Sequence, residues 1–353
     1  MDLPVLPPVS PMLAKAVPAV PEAGSVPGGL LYEPKWDGFR AIVFRDGDDV
    51  ELGSRGTKSL QRYFPELVEA VRAHLPRRCV VDGEIVLRRG EPGAQRLDWD
   101  LLAQRIHPAP SRIARLAAET PAELVAFDLL AEGDLTVLDQ PFEARRDRLE
   151  RMLAGLDPDA PVHLTRVTRD TALARSWFES FEGAGLDGVV AKPLSATYQP
   201  GKRVLLKVKH ARTAEAVVIG YRRHTSGRGV GSLLLGLYDD AGQLVQVGGA
   251  SAFTDKRRLE LLDELAPFVE RDRAGAPVVE LGERNRFSAS RDVTWVRLRP
   301  ELVVEVRYDQ MEARRFRHAV QVARWRVDRE PRSCTYDQLE NPASYDLGAV
   351  LER

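Results

Sequence analysis

A lysine inside a short run of charged residues is the first feature of this sequence that could do chemistry. The run Glu33-Pro34-Lys35-Trp36-Asp37-Gly38-Phe39-Arg40 places Lys35 between acids and an arginine. A lysine amine is a nucleophile only when neutral, a form favoured by desolvation or by neighbouring cations. Arg40 and a bound metal ion could supply those cations, and Asp37-Gly38 could form the turn that aims the lysine inward. Taken alone, a lysine beside a glycine turn is more often an ordinary surface residue.

Further short segments combine charged or aromatic residues with strand-like surroundings. Taken alone, Ser54-Arg55-Gly56 is a polar turn, Asp82-Gly83-Glu84 an acidic hairpin turn, and Phe127 a core residue. Asp187 and Lys192 flank a strand-like apolar run. In Lys207-Val208-Lys209, alternation puts both lysines on one face of a strand, where they could stabilise charge that develops on a phosphate.

The order of these segments resembles the covalent nucleotidyltransferases, which include ATP- and NAD-dependent DNA ligases, RNA ligases and mRNA capping enzymes. Lys35-x-Asp37-Gly38-x-Arg40 is similar to the first motif of that family, whose lysine attacks the α-phosphate of a nucleotide and releases pyrophosphate. The other segments follow in the family's order. Arg317 and Arg324-Trp325-Arg326-Val327-Asp328 are similar to its last motif.

The resemblance implies a role for each matching residue, with Lys35 as the catalytic one. The implied nucleotide contacts are Glu33 on the adenine amino group, Arg40 on ribose or phosphate, Arg55 on phosphate or the DNA strand end, Glu84 on ribose, Phe127 on the adenine ring, and Lys192, Lys207 and Lys209 on phosphate. The implied metal ligands are Asp37, Glu84 and Asp187, and the implied pyrophosphate-orienting residues are Arg317, Arg324, Arg326 and Asp328. The family usually has glutamate at the position of Asp187, and the shorter carboxylate can hold Mg²⁺ directly or through a water.

Details outside the motifs resemble bacterial ATP-dependent DNA ligases, in particular the actinobacterial class called ligase C. They are the Pro-Pro-Val-Ser-Pro-Met-Leu-Ala sequence at 7–14 and Tyr63-Phe64-Pro65-Glu66. This implies ATP and Mg²⁺ or Mn²⁺ as cofactors, nicked duplex DNA as partner, and sealing of 5′-phosphate/3′-hydroxyl nicks in DNA repair or recombination, alongside unspecified repair proteins. An RNA ligase or another covalent nucleotidyltransferase is the alternative, and an end-binding module without catalysis is a second one.

The elements that must position these residues change in character near residue 212. Residues 1–29 are rich in Pro and Gly and predict an extended arm. Mixed strands and helices follow, whereas short strands with one helix at about 255–269 suit a small oligonucleotide-binding (OB) barrel. We therefore predict an α+β fold: a nucleotidyltransferase (adenylation) domain with antiparallel sheets over 1–212, followed by a C-terminal OB-fold β-barrel over 213–353.

Length and composition agree with two domains, because a single core stops growing at about 250–300 residues and this chain has 353. The net charge of −1 does not by itself indicate a nucleic-acid binder, although basic residues cluster between 202 and 228. The sequence has no apolar run that could span a bilayer, no secretion signal, and only Cys79 and Cys334 as thiols. We predict a cytoplasmic monomer without membrane attachment.

Overall fold

The computed structural model describes residues 1–56, 58–282, 294–312, 314–339 and 343–351. They group into two compact units, Met1–Lys209 with the described part of Pro342–Arg353, and His210–Asn341. The predicted division assigns everything after residue 212 to the barrel, and it differs from the structure at the C-terminal end. Leu347 and Val350 are buried in a hydrophobic core of the first unit, so this segment belongs there.

The first unit alternates strands with short helices. Its strands are β1 (Leu13–Ala16), β2 (Leu30–Pro34), β3 (Phe39–Asp46), β4 (Asp49–Ser54), β5 (Arg78–Val86), β6 (Arg88–Arg89), β7 (Arg96–Leu97), β8 (Glu123–Glu132), β9 (Leu135–Thr136), β10 (Val162–Leu164), β11 (Val189–Pro193) and β12 (Arg203–Val208). Its helices before residue 209 are α1 (Pro65–His74), α2 (Trp99–Ala103), α3 (Pro110–Glu119), α4 (Phe142–Met152) and α5 (Thr171–Ser180).

Two sheets form the body of this unit among the described residues. One has the order β1-β12-β11-β2, with β11 antiparallel to both of its neighbours. The other has the order β10-β8-β5-β3-β4, with β9 added at β8, and β3, β4, β5 and β8 form antiparallel pairs. This confirms the α+β class and the antiparallel sheets that the sequence predicts.

Strand β3 shows why the larger sheet is apolar on both faces. Its alternate residues Ala41 and Val43 pack into a core with helix α1, while Ile42 and Phe44 pack into a second core with the N-terminal arm. A strand covered on both sides reads as a continuous apolar run, as it does here. The buried strands of this sheet therefore support the polar residues that some of them carry.

The second unit consists mainly of strands. They are β13 (Arg212–Arg223), β14 (Val230–Tyr238), β15 (Leu244–Ala250), β16 (Val279–Leu281), β17 (Thr294–Arg297), β18 (Val303–Tyr308), β19 (Met311–Glu312), β20 (Arg315–Phe316) and β21 (Gln321–Trp325), with helix α6 (Asp255–Leu265) after β15. The long strand β13 pairs with β14, β17 and β18, and β18 pairs with β21. One parallel bridge, between Ala250 and Val320, links the end of β15 to the start of β21. This is the partly open barrel of the OB fold, as predicted.

The C-terminal helix α7 (Leu347–Leu351) packs on the first unit. Asp346 Oδ1 accepts a hydrogen bond from the backbone N–H of Gln95 at 2.8 Å, and the N–H of Leu347 donates to the Gln95 carbonyl at 2.8 Å. Across the part of the chain that the structure describes, every helix is too short or too polar to cross a membrane.

Candidate active site

A cavity of about 240 Å³ in the first unit is lined by residues from both sheets. The smaller sheet contributes residues of β2, β11 and β12, and the larger sheet contributes residues of β3, β5 and β8. The predicted site residues that line it are Glu33, Lys35, Arg40, Arg55, Glu84, Phe127, Lys192 and Lys207. Residues far apart in the sequence therefore share one cavity.

Lys35 directly follows β2, and two backbone hydrogen bonds hold it beside the start of β11. Its N–H donates to the Gly188 carbonyl at 2.8 Å, and the Asp187 N–H donates to the Lys35 carbonyl at 3.0 Å. The Lys35 Nζ then donates to Asp187 Oδ2 at 2.5 Å. Lys209 Nζ lies 2.7 Å from the same oxygen. One carboxylate oxygen thus orients the lysine amine at the cavity wall and is itself held by a second ammonium group.

The Phe127 ring forms part of the cavity floor between two cations. Arg40 Cζ lies 4.4 Å from its ring centroid, and Lys192 Nζ lies 4.6 Å from it. Lys192 also donates to the Phe127 carbonyl at 3.1 Å and pairs with Glu33 Oε2 at 2.8 Å. Burial raises the pKa of Glu33 and lowers that of Lys192, while their mutual attraction opposes both shifts.

Glu33 has one oxygen that the protein does not satisfy. Its Oε1 is buried and accepts no hydrogen bond from any described residue. Buried polar atoms are nearly always paired, so an orphaned acceptor at a cavity wall indicates a place for a ligand donor. The amino group of a nucleobase is such a donor.

Arg40 and Glu84 face each other across the β3–β5 ladder. The Arg40 guanidinium donates to both oxygens of Asp82, at 2.5 and 2.6 Å. The Glu84 carboxylate accepts from the Gly38 N–H at 3.2 Å. Burial raises the pKa of Glu84 to about 7, against the opposing attraction of Arg40 and Lys35.

The raised pKa of Glu84 predicts a pH-dependent stability. The folded chain keeps this proton up to about pH 7, whereas an unfolded glutamate loses it near about pH 4.3. The folded state therefore binds more protons between these values, and the free energy of unfolding falls as pH rises through the window. We expect Glu84→Gln to remove about 1–3 kcal/mol of that fall between about pH 5 and 8.

Urea unfolding of the wild type and of Glu84→Gln, both without nucleotide or metal, measures this difference. Glu69→Gln is the control, since the Glu69 side chain is 71% exposed. A pH slope in Glu84→Gln as steep as in the wild type would contradict the assignment.

Lysines and arginines make the cavity cationic. Lys207 on β12 lies opposite Val190 and lines the cavity together with Arg55 and Arg203. Burial lowers the pKa of Lys207, and repulsion from Lys35 and Lys209 lowers it further. Such a cluster is complementary to a polyphosphate.

The predicted metal ligands Asp37, Glu84 and Asp187 are all oxygen donors, the type that Mg²⁺ and Mn²⁺ take. Asp37 follows the cavity residue Trp36 and is half-buried. Burial raises the pKa of Glu84, and a bound divalent cation would favour its charged form. The described residues contain no ready-made cluster of three or more metal-binding side chains. The donor chemistry fits, and this metal set stays a prediction.

In the second unit, three of the four predicted last-motif residues gather in one ionic network. Arg326 donates to both oxygens of Asp328 at 2.9 Å and also contacts Glu215 and Glu305. Arg324 donates to Glu305 at 2.8 Å. Arg326 holds the pKa of Asp328 down to about 2.

Arg317 has a different environment. Its Nη1 donates to Gln310 Oε1 at 3.0 Å, and Glu312 lies 3.9 Å from its Nε. Burial lowers its pKa to about 10. The common role predicted for Arg317 and the network residues is not tested by these contacts.

No role was predicted for several buried polar residues beneath the site. Asp82 binds Arg40, Tyr198 binds Asp82, and Asp128 binds Arg145 through two hydrogen bonds of 2.8 and 2.9 Å. Asp82 and Asp128 are acids inside apolar strands, which is a signal that could have found them, because a buried charge needs a partner.

Two family models match the chain. The model for the ATP dependent DNA ligase domain matches residues 11–209, and the model for the ATP dependent DNA ligase C terminal region matches residues 226–329.

Relatives of known name match it over their full length. DNA ligase C1 of Mycolicibacterium smegmatis is 54% identical over 100% of this chain and 99% of its own. DNA ligase C of Mycobacterium tuberculosis is 52% identical over 99% of each chain. Among solved structures, that of a Lig E DNA ligase has a TM-score of 0.55 at 19% identity and covers 89% of this chain and 99% of its own, which is a likeness in fold.

Proposed function

We infer the function of this chain from its family, because the chain belongs to the ATP-dependent DNA ligases. Its relatives support membership of the actinobacterial ligase C class, as the sequence analysis predicted. The chain is thus an ATP-dependent DNA ligase. The roles of its residues, its metal and its biological setting are our proposals.

In the proposed reaction Lys35 carries AMP. Its neutral Nζ attacks the α-phosphorus of ATP, a P–N bond forms, the bond to pyrophosphate breaks, and the amine loses a proton. A 5′-phosphate oxygen of the nick then attacks the AMP phosphorus and displaces Lys35. Finally the 3′-hydroxyl attacks the 5′-phosphorus and expels AMP. The observation that carries this proposal is the place of Lys35 in the wall of a cavity that also contains Lys207 and Arg55, two cations suited to a polyphosphate.

The residues of the cavity would hold the nucleotide in line for that attack, which lowers the barrier by positioning. The orphaned Glu33 Oε1 suits the adenine amino group, whereas guanine presents a carbonyl oxygen at the same ring position. Phe127 offers an apolar surface for the base. We propose ribose contacts for Arg40 and Glu84, and phosphate contacts for Arg55, Lys207 and Lys209. Lys192, which the resemblance assigns to phosphate, is bound to Glu33, so we propose that it lies on the base side of the nucleotide.

A divalent cation, Mg²⁺ or Mn²⁺, would neutralise phosphate charge when bound, and we propose Asp37, Glu84 and Asp187 as the residues that hold it. To bind the cation, Asp187 would have to release Lys35 or contact both at once. Release would also free the Lys35 amine for attack.

The remaining assignments rest on the resemblance. We propose that Arg317, Arg324, Arg326 and Asp328 orient the leaving pyrophosphate, and that the enzyme acts as a monomer in the cytoplasm on nicks that arise in DNA repair. The two buried free thiols, Cys79 and Cys334, agree with a reducing compartment.

Incubation with α-labelled ATP and Mg²⁺ or Mn²⁺ is expected to give a covalently labelled chain, and a chase with nicked duplex DNA is expected to discharge the label and seal the nick. The same assay with α-labelled GTP, and with nicked RNA in place of DNA, separates the alternatives. Labelling by GTP would indicate a capping enzyme, and sealing of RNA alone an RNA ligase. Absence of any label from the native chain would refute the proposed function.

A further inference from the structure

We propose that Tyr198 is a positioning residue for adenylation, which holds Arg40 at the nucleotide cavity through Asp82. This inference rests on the proposed function, because it concerns how Arg40 meets the nucleotide. Tyr198 does not line the cavity and belongs to none of the motif segments, so its effect must pass through other residues.

Hydrogen bonds connect Tyr198, Asp82 and Arg40 in a continuous series. The Tyr198 hydroxyl donates to Asp82 Oδ2 at 2.7 Å. Asp82 Oδ1 accepts from Arg40 Nε at 2.5 Å, and Oδ2 accepts from Arg40 Nη2 at 2.6 Å. Asp82 is fully buried and Tyr198 is 4% exposed, so water does not compete for these bonds. Of these three residues, Arg40 is the one that lines the cavity.

The third hydrogen bond on Asp82 has a specific consequence. A carboxylate bound only by a guanidinium fork can tilt together with the fork, since the two groups move as one. The Tyr198 hydroxyl binds Asp82 from a separate element and fixes the orientation of the pair. Burial raises the pKa of Tyr198 well above its ordinary value, so the hydroxyl keeps its proton and remains a donor.

Tyr198 is itself rigidly held. Its backbone N–H donates to the Leu138 carbonyl at 2.8 Å. Arg145 Cζ lies 5.6 Å from its ring centroid, and Arg145 Nη1 donates to the Ala196 carbonyl at 2.9 Å, two residues earlier in the chain. Arg145 is fixed in turn by its buried pair with Asp128. A positioning residue must be anchored in this way to be effective.

The same hydroxyl also contacts a second segment that lines the cavity. It accepts a hydrogen bond from the Met12 N–H at 3.2 Å, and Met12 lines the cavity beside Leu13 and Ala14. Strand β1 runs parallel to β12 here, with Leu13 paired to Arg203. One hydroxyl group therefore connects the N-terminal arm to the Arg40 side of the nucleotide cavity.

Tyr198→Phe tests this inference, because it removes the hydroxyl and keeps the ring. We expect the KM for ATP in lysyl-AMP formation to rise about three- to tenfold, the effect of one lost buried hydrogen bond. Because Arg40 would be misplaced in the bound state and the transition state alike, kcat at saturating ATP should stay within about twofold of the wild type.

Tyr32→Phe is the matched control. Tyr32 is fully buried in the same unit, and its hydroxyl donates to the Pro21 carbonyl at 2.6 Å, with Thr171 Oγ1 at 3.1 Å. It should lower the melting temperature without changing the KM for ATP. A second variant, Asp82→Asn, should raise the KM at least as much as Tyr198→Phe, and an unchanged KM in Asp82→Asn would overturn the inference even if Tyr198→Phe does not fold.

A KM unchanged in Tyr198→Phe, or raised equally in Tyr32→Phe, would overturn the inference and leave Tyr198 a structural residue. Failure of the proposed function would be seen separately, because the wild type would then form no lysyl-AMP.

Discussion

Replacement of Lys35 by arginine is expected to lower the rate of covalent labelling from α-labelled ATP by about a thousandfold or more. Arginine keeps the positive charge and can still contact Asp187, so the local electrostatics change little. Its guanidinium does not deprotonate in proteins, so it offers no free amine for attack. The measurement is the label, and the mass of one AMP, retained by the denatured chain.

Lys207 is the strongest rival for the nucleophile. It lines the same cavity, and burial together with the neighbouring lysines lowers its pKa. If it were the acceptor, Lys207→Arg would abolish the label and Lys35→Arg would not. We expect Lys207→Arg to slow labelling but not remove it. Lys256→Arg, at a side chain that is 88% exposed on the second unit, should leave the rate unchanged.

The sequence predicted residues that the structure places around one cavity, but it did not predict their contacts. Lys35 and Asp187 are separated by 152 positions, and only the pairing of β2 with β11 brings them together. The motif order indicated that both belong to one site. It contained no information that Asp187 would bind Lys35 and Lys209 through the same oxygen.

Buried ion pairs were missed for a physical reason. Periodicity identifies strands by their apolar residues, so Asp82 and Asp128 appear only as interruptions, and nothing local identifies Arg40 and Arg145 as their partners. The C-terminal segment was missed in a similar way. Leu347 and Val350 form one short helix whose apolar face could pack on either unit, and the sequence does not say which.

Asp187 stands where the family usually has glutamate, and its side chain is one methylene group shorter. The shorter side chain still reaches Lys35 at 2.5 Å because two backbone hydrogen bonds, from the Lys35 N–H to the Gly188 carbonyl and from the Asp187 N–H to the Lys35 carbonyl, hold the two residues side by side. The backbone therefore brings the Asp187 carboxylate close enough to Lys35 without the extra methylene group of a glutamate. Gly188, which accepts one of these hydrogen bonds, also lies tightly against Val208 of β12.

Gly188→Ala is accordingly expected to destabilise the first unit by about 2–5 kcal/mol, from backbone strain and steric overlap together. Gly188 has a φ of +120°, and a Cβ there would lie 2.0 Å from the Val208 carbonyl oxygen. Relief of this clash must move the start of β11 away from β12. Because the Gly188 carbonyl accepts from the Lys35 N–H, Lys35 moves with it.

Displacement of the nucleophile by about 1 Å can cost about a hundredfold in rate, so labelling at saturating ATP should fall even where the variant is fully folded. Urea unfolding and the labelling rate, both at low temperature, separate the two effects. Gly155→Ala is the control, since a Cβ at Gly155 meets no atom within 4 Å, and its stability should change by about 0.5 kcal/mol or less. If Gly188→Ala unfolds at the wild-type urea concentration and labels at the wild-type rate, then the close approach of β11 to β12 does not position Lys35.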